Sequence, residues 1–142
     1  MATVRAGCAR PPIHLLAAES DMVATLALQA EHRQPVVAAM LLGEIERAEL
    51  HDPDTLPGTA VTLGSEIAFV DERTSQIRTV ELVLPAMANI AEGRISILTP
   101  MGAALYGLTA GQSIDWPDLD GHERRIRIVR VRQPFEEPPA AA

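Results

Sequence analysis

The sequence predicts an α+β protein: a short N-terminal antiparallel helical hairpin, then a small antiparallel β-sheet domain with one short helix. Three observations predict it. Apolar residues recur at helical spacing between Leu15 and Leu50. From Val61 onward the apolar period changes to two, the period of a half-buried strand. The stretch HDPDTLPG (51–58) separates the two regimes and is dense in Asp, Pro and Gly.

In the first part, Met22, Val23, Leu26 and Ala30 make one stripe, and Val37, Leu41, Ile45 and Ala48, backed by Met40, make a second. Between them lies Glu31-His32-Arg33-Gln34-Pro35, a polar break that ends in a residue suited to the first turn of a helix. Two short amphipathic helices joined this way pack as a hairpin with its tip at Glu31, His32, Arg33 and Gln34. The domain limits that follow are a tail at 1–14, a hairpin at 15–51, a linker at 52–58, the sheet domain at 59–135 and a tail at 136–142.

In the second part, Val61, Leu63, Ser65, Ile67 and Phe69 share one strand face. Asp71 to Ser75 form a turn, and Gln76 to Leu84 a second strand with Val80, Leu82 and Leu84 inward. The stretch ISILTPMGAALYG (95–107) starts as a strand and breaks at Thr99-Pro100. Thr99 suits a helix N-cap and Pro100 the first helical position, so a short apolar helix follows and stops at Gly107. A strand near Ser113 to Trp116, a turn at Pro117 to Gly121 and a last strand to about Arg132 complete the sheet. In that last strand Ile126 and Ile128 have one parity, Val129 and Val131 the other. A strand cannot slip phase without turning its apolar set outward, so a bulge is predicted near Ile128-Val129.

Composition excludes several functions. Apolar residues make up 47% of the chain and aromatics only 3%, so the core is built from aliphatic side chains. A net charge of −7 argues against strong independent binding to nucleic acid, where phosphate contacts need clustered cations. Cys8 is alone, which excludes a disulfide framework and a thiolate metal site. No run approaches the ~20 apolar residues of a membrane span, and the N-terminus lacks the apolar region of a secretory signal, so a cytoplasmic protein is expected.

No catalytic constellation emerges. The histidines His14, His32, His51 and His122 are scattered, none four residues from another His or Cys, so neither a metal nor a cofactor is expected. Gly102 and Gly107 have the spacing of a phosphate loop, but Leu108-Thr109 stands where lysine and a hydroxyl are needed. Ser65 lies in a strand, outside any Gly-x-Ser-x-Gly elbow. Asp52 and Asp54 are explained by turn chemistry, and Glu44, Glu46 and Glu49 by a solvated helix face. Arg124, Arg125, Arg127, Arg130 and Arg132 crowd the last strand. Cross-strand pairing with carboxylates such as Glu81 or Asp115 is preferred to a basic surface for an acidic partner.

The stretch GRISILTPMGAALYGLTAGQSIDW, with VTLGSEIAFVDERTSQIRTVELVLP before it, resembles the C-terminal domain of the bacterial Gre (GreA/GreB) transcript-cleavage factors. The matching positions are Gly64-Ser65, Ile95-Ser96, Thr99-Pro100, Gly102, Ala104-Leu105, Gly107 and Gly111. The resemblance spans roughly Val61 to Val131 and implies an FKBP-like fold. The family's cleavage factors carry a long coiled coil with paired acids at its tip, whereas this hairpin is short and Glu31 is the one acid of the tip. That truncated arrangement, with LLGEIERAEL leading into the domain, is similar to the Rnk-type regulators of nucleoside diphosphate kinase.

What the resemblance implies is a monomeric, non-enzymatic regulator that docks on RNA polymerase at the rim of the secondary channel and modulates elongation without promoting cleavage. Its contact residues would be Ser96, Thr99, Pro100, Met101 and Gly102, with Met101 outside and Leu105 inside. An active cleavage factor is the rival reading. A peptidyl-prolyl isomerase is weaker still, because only Phe69, Tyr106, Trp116 and Phe135 could line an aromatic pocket.

Overall fold

Two stripes of apolar side chains force the first half of the chain into paired helices. The computed structural model, which describes residues 12–117 and 123–134, places α1 at Ala17–Gln29 and α2 at Pro35–Arg47. Their buried positions are Val23 and Ala27, continued by Ala30, facing Val37, Ala38 and Leu41. Alanines at three of these sites let the helices approach closely. Met22, expected on the α1 stripe, is instead 47% exposed, and Ala27 takes the buried position four residues after Val23. Pro35 starts α2 as the first helical residue. Glu44 is a further correction: it is buried and held bidentately by Arg47 at 2.8 and 2.9 Å, so it is not part of a solvated face.

Two short strands flank the helices. β1 (His14–Leu16) runs straight into α1, β2 (Glu49–His51) follows α2, and the two pair in parallel. The tail expected to reach residue 14 therefore yields to ordered chain, with Ile13 and Leu15 fully buried in the core. Residues 1–11 and 135–142 lie outside the described residues.

The second half forms a five-stranded sheet of β3 (Glu66–Asp71), β4 (Gln76–Val83), β5 (Arg94–Ser96), β6 (Ser113–Pro117) and β7 (Glu123–Arg132). The spatial order is β5-β4-β3-β7-β6, antiparallel except for β4 with β5. A single turn of helix, α3 (Pro100–Leu105), follows β5. Ile67, Phe69, Val80, Leu82, Ile126, Ile128 and Val131 line the inner face, closed by Ile97, Leu105, Tyr106 and Leu108.

The bulge lies where the alternation slips. Ala68 pairs with Arg130 and Phe69 with Ile128, so Val129 is the extra residue. It is 44% exposed, and Val131 regains the inner face. The start of the first sheet strand differs from the sequence expectation. Thr62 to Ser65 form a turn, in which Ser65 N–H donates to Thr62 O (3.0 Å) and Thr62 N–H to Ser65 Oγ (2.9 Å), so β3 begins only at Glu66. Val61 is buried all the same, because its N–H donates to Leu108 O (2.8 Å) and its carbonyl accepts from Gly107 N–H (3.0 Å). At the far end, Gln133 Nε2 donates to Pro57 O and Ala60 O, both at 2.9 Å, and so fastens the linker to the end of β7. The turn expected at 117–121 lies, after Pro117, outside the described residues.

Gly107 joins the halves. Its carbonyl accepts the His14 N–H at 2.9 Å, opposite its own bond to Val61. Its φ is +86°, and a Cβ there would lie 2.9 Å from both Ile13 Cβ and Leu15 Cδ2. A second tie runs through Glu19 on α1, whose Oε1 accepts from Leu63 N–H (3.2 Å) and Tyr106 O–H (3.1 Å). Burial raises the Glu19 carboxyl above its usual range, against the lowering effect of those two hydrogen bonds. Burial, followed by the Glu19 charge, pushes the Tyr106 phenol well up.

Gly107→Ala is expected to cost roughly 2–4 kcal/mol, from left-handed strain plus overpacking. Gly111→Ala is the control: φ is +93° but no atom lies within 4 Å of the added Cβ, so only the strain of about 1 kcal/mol remains. Equal shifts in thermal melts of the two variants would refute the close approach at Gly107. Glu19 gives a pH prediction. Because its folded pKa is raised, the native state holds its proton more tightly than the unfolded chain. That contribution is fully present below about pH 4.5 and is lost as pH rises through the folded value. Urea titrations should show Glu19→Gln gaining on the wild type as pH rises from 4.5 to about 8, and a pH-independent difference would contradict it.

Candidate functional site

Two surfaces singled out by the sequence can be built up atom by atom. The first is the corner between β5 and α3. Ser96 ends β5, and its carbonyl accepts from Thr99 Oγ1 (2.7 Å) and Thr99 N–H (3.2 Å), which turns the chain by a tight side-chain-supported bend. Ser96 Oγ accepts from Leu98 N–H at 2.9 Å. Thr99 then caps α3, its Oγ1 accepting from Gly102 N–H at 3.0 Å, and Pro100 occupies the first helical position. Gly102 is glycine because the helix packs directly on the strand end: an added Cβ would collide with the Ser96 carbonyl oxygen.

Ser96 and Gly102 are therefore buried parts of the corner's frame. Pro100 is exposed, Thr99 half-buried, and Met101 half-buried against the edge of the core. Leu105 is fully buried, as is Tyr106. The connection leading into β5 adds apolar surface, with Met87 59% and Ile90 81% exposed.

The second surface is the hairpin tip. Ala30 O accepts from Arg33 N–H (3.0 Å) and Gln34 N–H (2.8 Å), so the turn is tight. It leaves Glu31, His32 and Arg33 exposed and Gln34 half-buried. Each helix has 13 residues, which at 1.5 Å per residue gives a reach of about 20 Å.

Three arginines of β7 pair with acids of neighbouring strands and of the β3–β4 turn. Arg125 pairs with Asp115 (3.2 Å) and Glu72 (3.4 Å), Arg127 with Glu72 (3.4 Å) and Arg132 with Glu66 (3.5 Å). Asp115 was the partner expected from sequence, while Glu66 and Glu72 take the place given to Glu81. These exposed pairs are each worth about 0–1 kcal/mol. Arg124's side chain and His122 lie outside the described residues.

One grouping escaped sequence reasoning. The parallel pairing of β1 with β2 brings together His14, Glu49 and His51, with His14 Nδ1 3.0 Å from His51 Nε2. The separation of 37 residues hides it from any search for local ligand spacing. The one available signal is the Glu49-Leu50-His51 alternation, and a strand of three residues carries no readable period.

Comparison with known proteins places these features. Residues 56–133 match the family model for the C-terminal part of the transcription elongation factors GreA/GreB. The chain is 31% identical over 122 residues to a regulator of nucleoside diphosphate kinase from Escherichia coli (strain K12), covering 86% of this chain and 90% of that protein. It is 34% identical over 88 residues to transcription elongation factor GreA of Acidiphilium cryptum (strain JF-5), covering 62% of this chain and only 55% of that factor. A solved structure, the prokaryotic transcription elongation factor GreA/GreB from Nitrosomonas europaea, is similar with a TM-score of 0.70 and 32% identity, over 84% of this chain and 98% of that one. No helix among the described residues is long and apolar enough to cross a membrane. The match runs through the whole sheet and the capped proline corner, and the chain belongs to the GreA/GreB transcription elongation factor family, by its C-terminal domain.

Proposed function

We propose that this protein is an RNA polymerase-binding regulator of the type represented by the regulator of nucleoside diphosphate kinase, acting as a cytoplasmic monomer. It docks near the rim of the secondary channel through an FKBP-like, Gre-type domain and modulates elongation without stimulating transcript cleavage. Thr99, Pro100 and Met101 form the contact, on a frame made by Ser96 and Gly102. A proline-fixed corner loses little entropy on docking, and a half-exposed methionine adapts to a partner surface.

The observation that carries the absence of cleavage is the tip. A short coiled coil of two 13-residue helices ends in Glu31, His32, Arg33 and Gln34. Glu31 stands alone about 20 Å from the base, with no second acid beside it in the tip to hold a catalytic magnesium ion between paired carboxylates. The tip instead presents a mixed polar surface.

Added to a backtracked elongation complex, the protein is expected to leave the rate of transcript cleavage unchanged. Magnesium-dependent cleavage abolished by Glu31→Ala would overturn the reading. For docking, Met101→Asp should weaken binding to core polymerase by about 1.5–2 kcal/mol, roughly 10–30-fold. Pro100→Asp is the cleaner probe, because Pro100 is exposed and an acid suits the first turn of a helix. Its thermal melt should move by no more than about 0.5 kcal/mol while binding falls. Leu105→Asp buries an unpaired carboxylate and should unfold the domain. Normal polymerase binding by a well-folded Pro100→Asp and Met101→Asp pair would remove the corner from the interface.

A further inference from the structure

We propose that His14, Glu49 and His51 form a zinc-binding site that ties the strand entering the hairpin to the strand leaving it. The three residues share one face of the β1–β2 pair, where His14 lies opposite Glu49 and His51 is two residues further along β2. Their ligand atoms all lie within 4.8 Å of one another. His14 Nδ1 is 3.0 Å from His51 Nε2, and that same Nε2 is 3.3 Å from Glu49 Oε2. Zinc bonds of about 2.0–2.1 Å in a tetrahedral site put neighbouring ligand atoms about 3.3–3.4 Å apart. Two of the three separations are within a few tenths of an ångström of that spacing, and the third, His14 to Glu49, is at most 4.8 Å.

The hydrogen bonds around His51 argue for a cation there. Thr55 Oγ1 donates to Asp52 O at 3.3 Å, so its lone pair is free to accept from His51 Nδ1–H at 3.0 Å. With Nδ1–H donating to Thr55 in this way, Nε2 is left as a bare lone pair that can take a metal ion. A hydrogen bond from His14 Nδ1–H would use this lone pair, yet a carboxylate oxygen of Glu49 faces the same atom. Two acceptors pointed at one another repel unless a cation stands between them. Two imidazoles and one carboxylate are a donor set that suits zinc, and a water molecule completes the tetrahedron. The way in is open, because the Glu49 side chain is 67% exposed while that of His51 is 10% exposed. The inference is independent of polymerase binding.

Calorimetric titration of the full chain with zinc chloride tests it. A background variant, Cys8→Ser with His32→Ala and His122→Ala, removes stray ligands. It is expected to bind one zinc ion with a Kd of about 10 μM or tighter. In that background, His51→Ala and His14→Ala should weaken binding at least ~100-fold, and Thr55→Val about 10-fold. Glu49→Gln spares the fold, since the side chain is mostly exposed, and should cost at least ~10-fold in affinity. Zinc should also raise the melting temperature of the background variant and not that of His51→Ala. The absence of saturable binding below about 1 mM would overturn the site. Binding that survives both His51→Ala and Glu49→Gln would overturn it equally.

Discussion

The backbone of one glycine is bonded to both halves of this protein at once. Gly107 stands where α3 ends, and its carbonyl and N–H reach in opposite directions, to His14 and to Val61. Those two bonds align the strand before the hairpin with the segment that enters the sheet. The adjoining Leu108 extends the ladder through its own carbonyl and buries its side chain in the shared core. Ile13 and Leu15 pack against the bare Cα, so no other residue fits without displacing them. From this junction the remaining order follows: β1 can start α1, α2 can return to β2, and Glu19 is carried to within hydrogen-bond distance of Tyr106.

The capped corner is a structural frame that also carries the proposed contact residues in one short segment. Thr99 spends its hydroxyl twice, donating to Ser96 O and accepting from Gly102 N–H. The two bonds hold the Pro100 ring at the surface with Met101 beside it. In the docking proposed above, a partner would meet a preformed shape, and little ordering cost would be added on binding.

Charge is distributed to the same end. A chain of net charge −7 carries its densest arginine cluster on β7, and the acids of β3, β6 and the β3–β4 turn lie across from it. The outer face of the sheet is thereby a lattice of opposite charges and not a uniform basic surface. Such a face offers no continuous track for a phosphate backbone.

Local patterns made much of this legible in advance. Two helical stripes gave α1 and α2, Thr99-Pro100 gave the capped start of α3, and the parity change at Val129 gave the bulge, because each depends on residues a few positions apart. Spaced glycines and the proline corner were enough to suggest the family. What the sequence by itself did not determine lies in long-range pairings. β1 and β2 are three residues each and carry no readable period, yet Leu15 of β1, with Ile13 just before it, is buried beside Gly107. Glu19 and Tyr106 are 87 residues apart, and His14 and His51 are 37 apart. Their encounters are set by how the hairpin seats on the sheet. Periodicity records which face of an element is apolar, but the partner of that face, and the polar groups it brings with it, are chosen only when the elements pack.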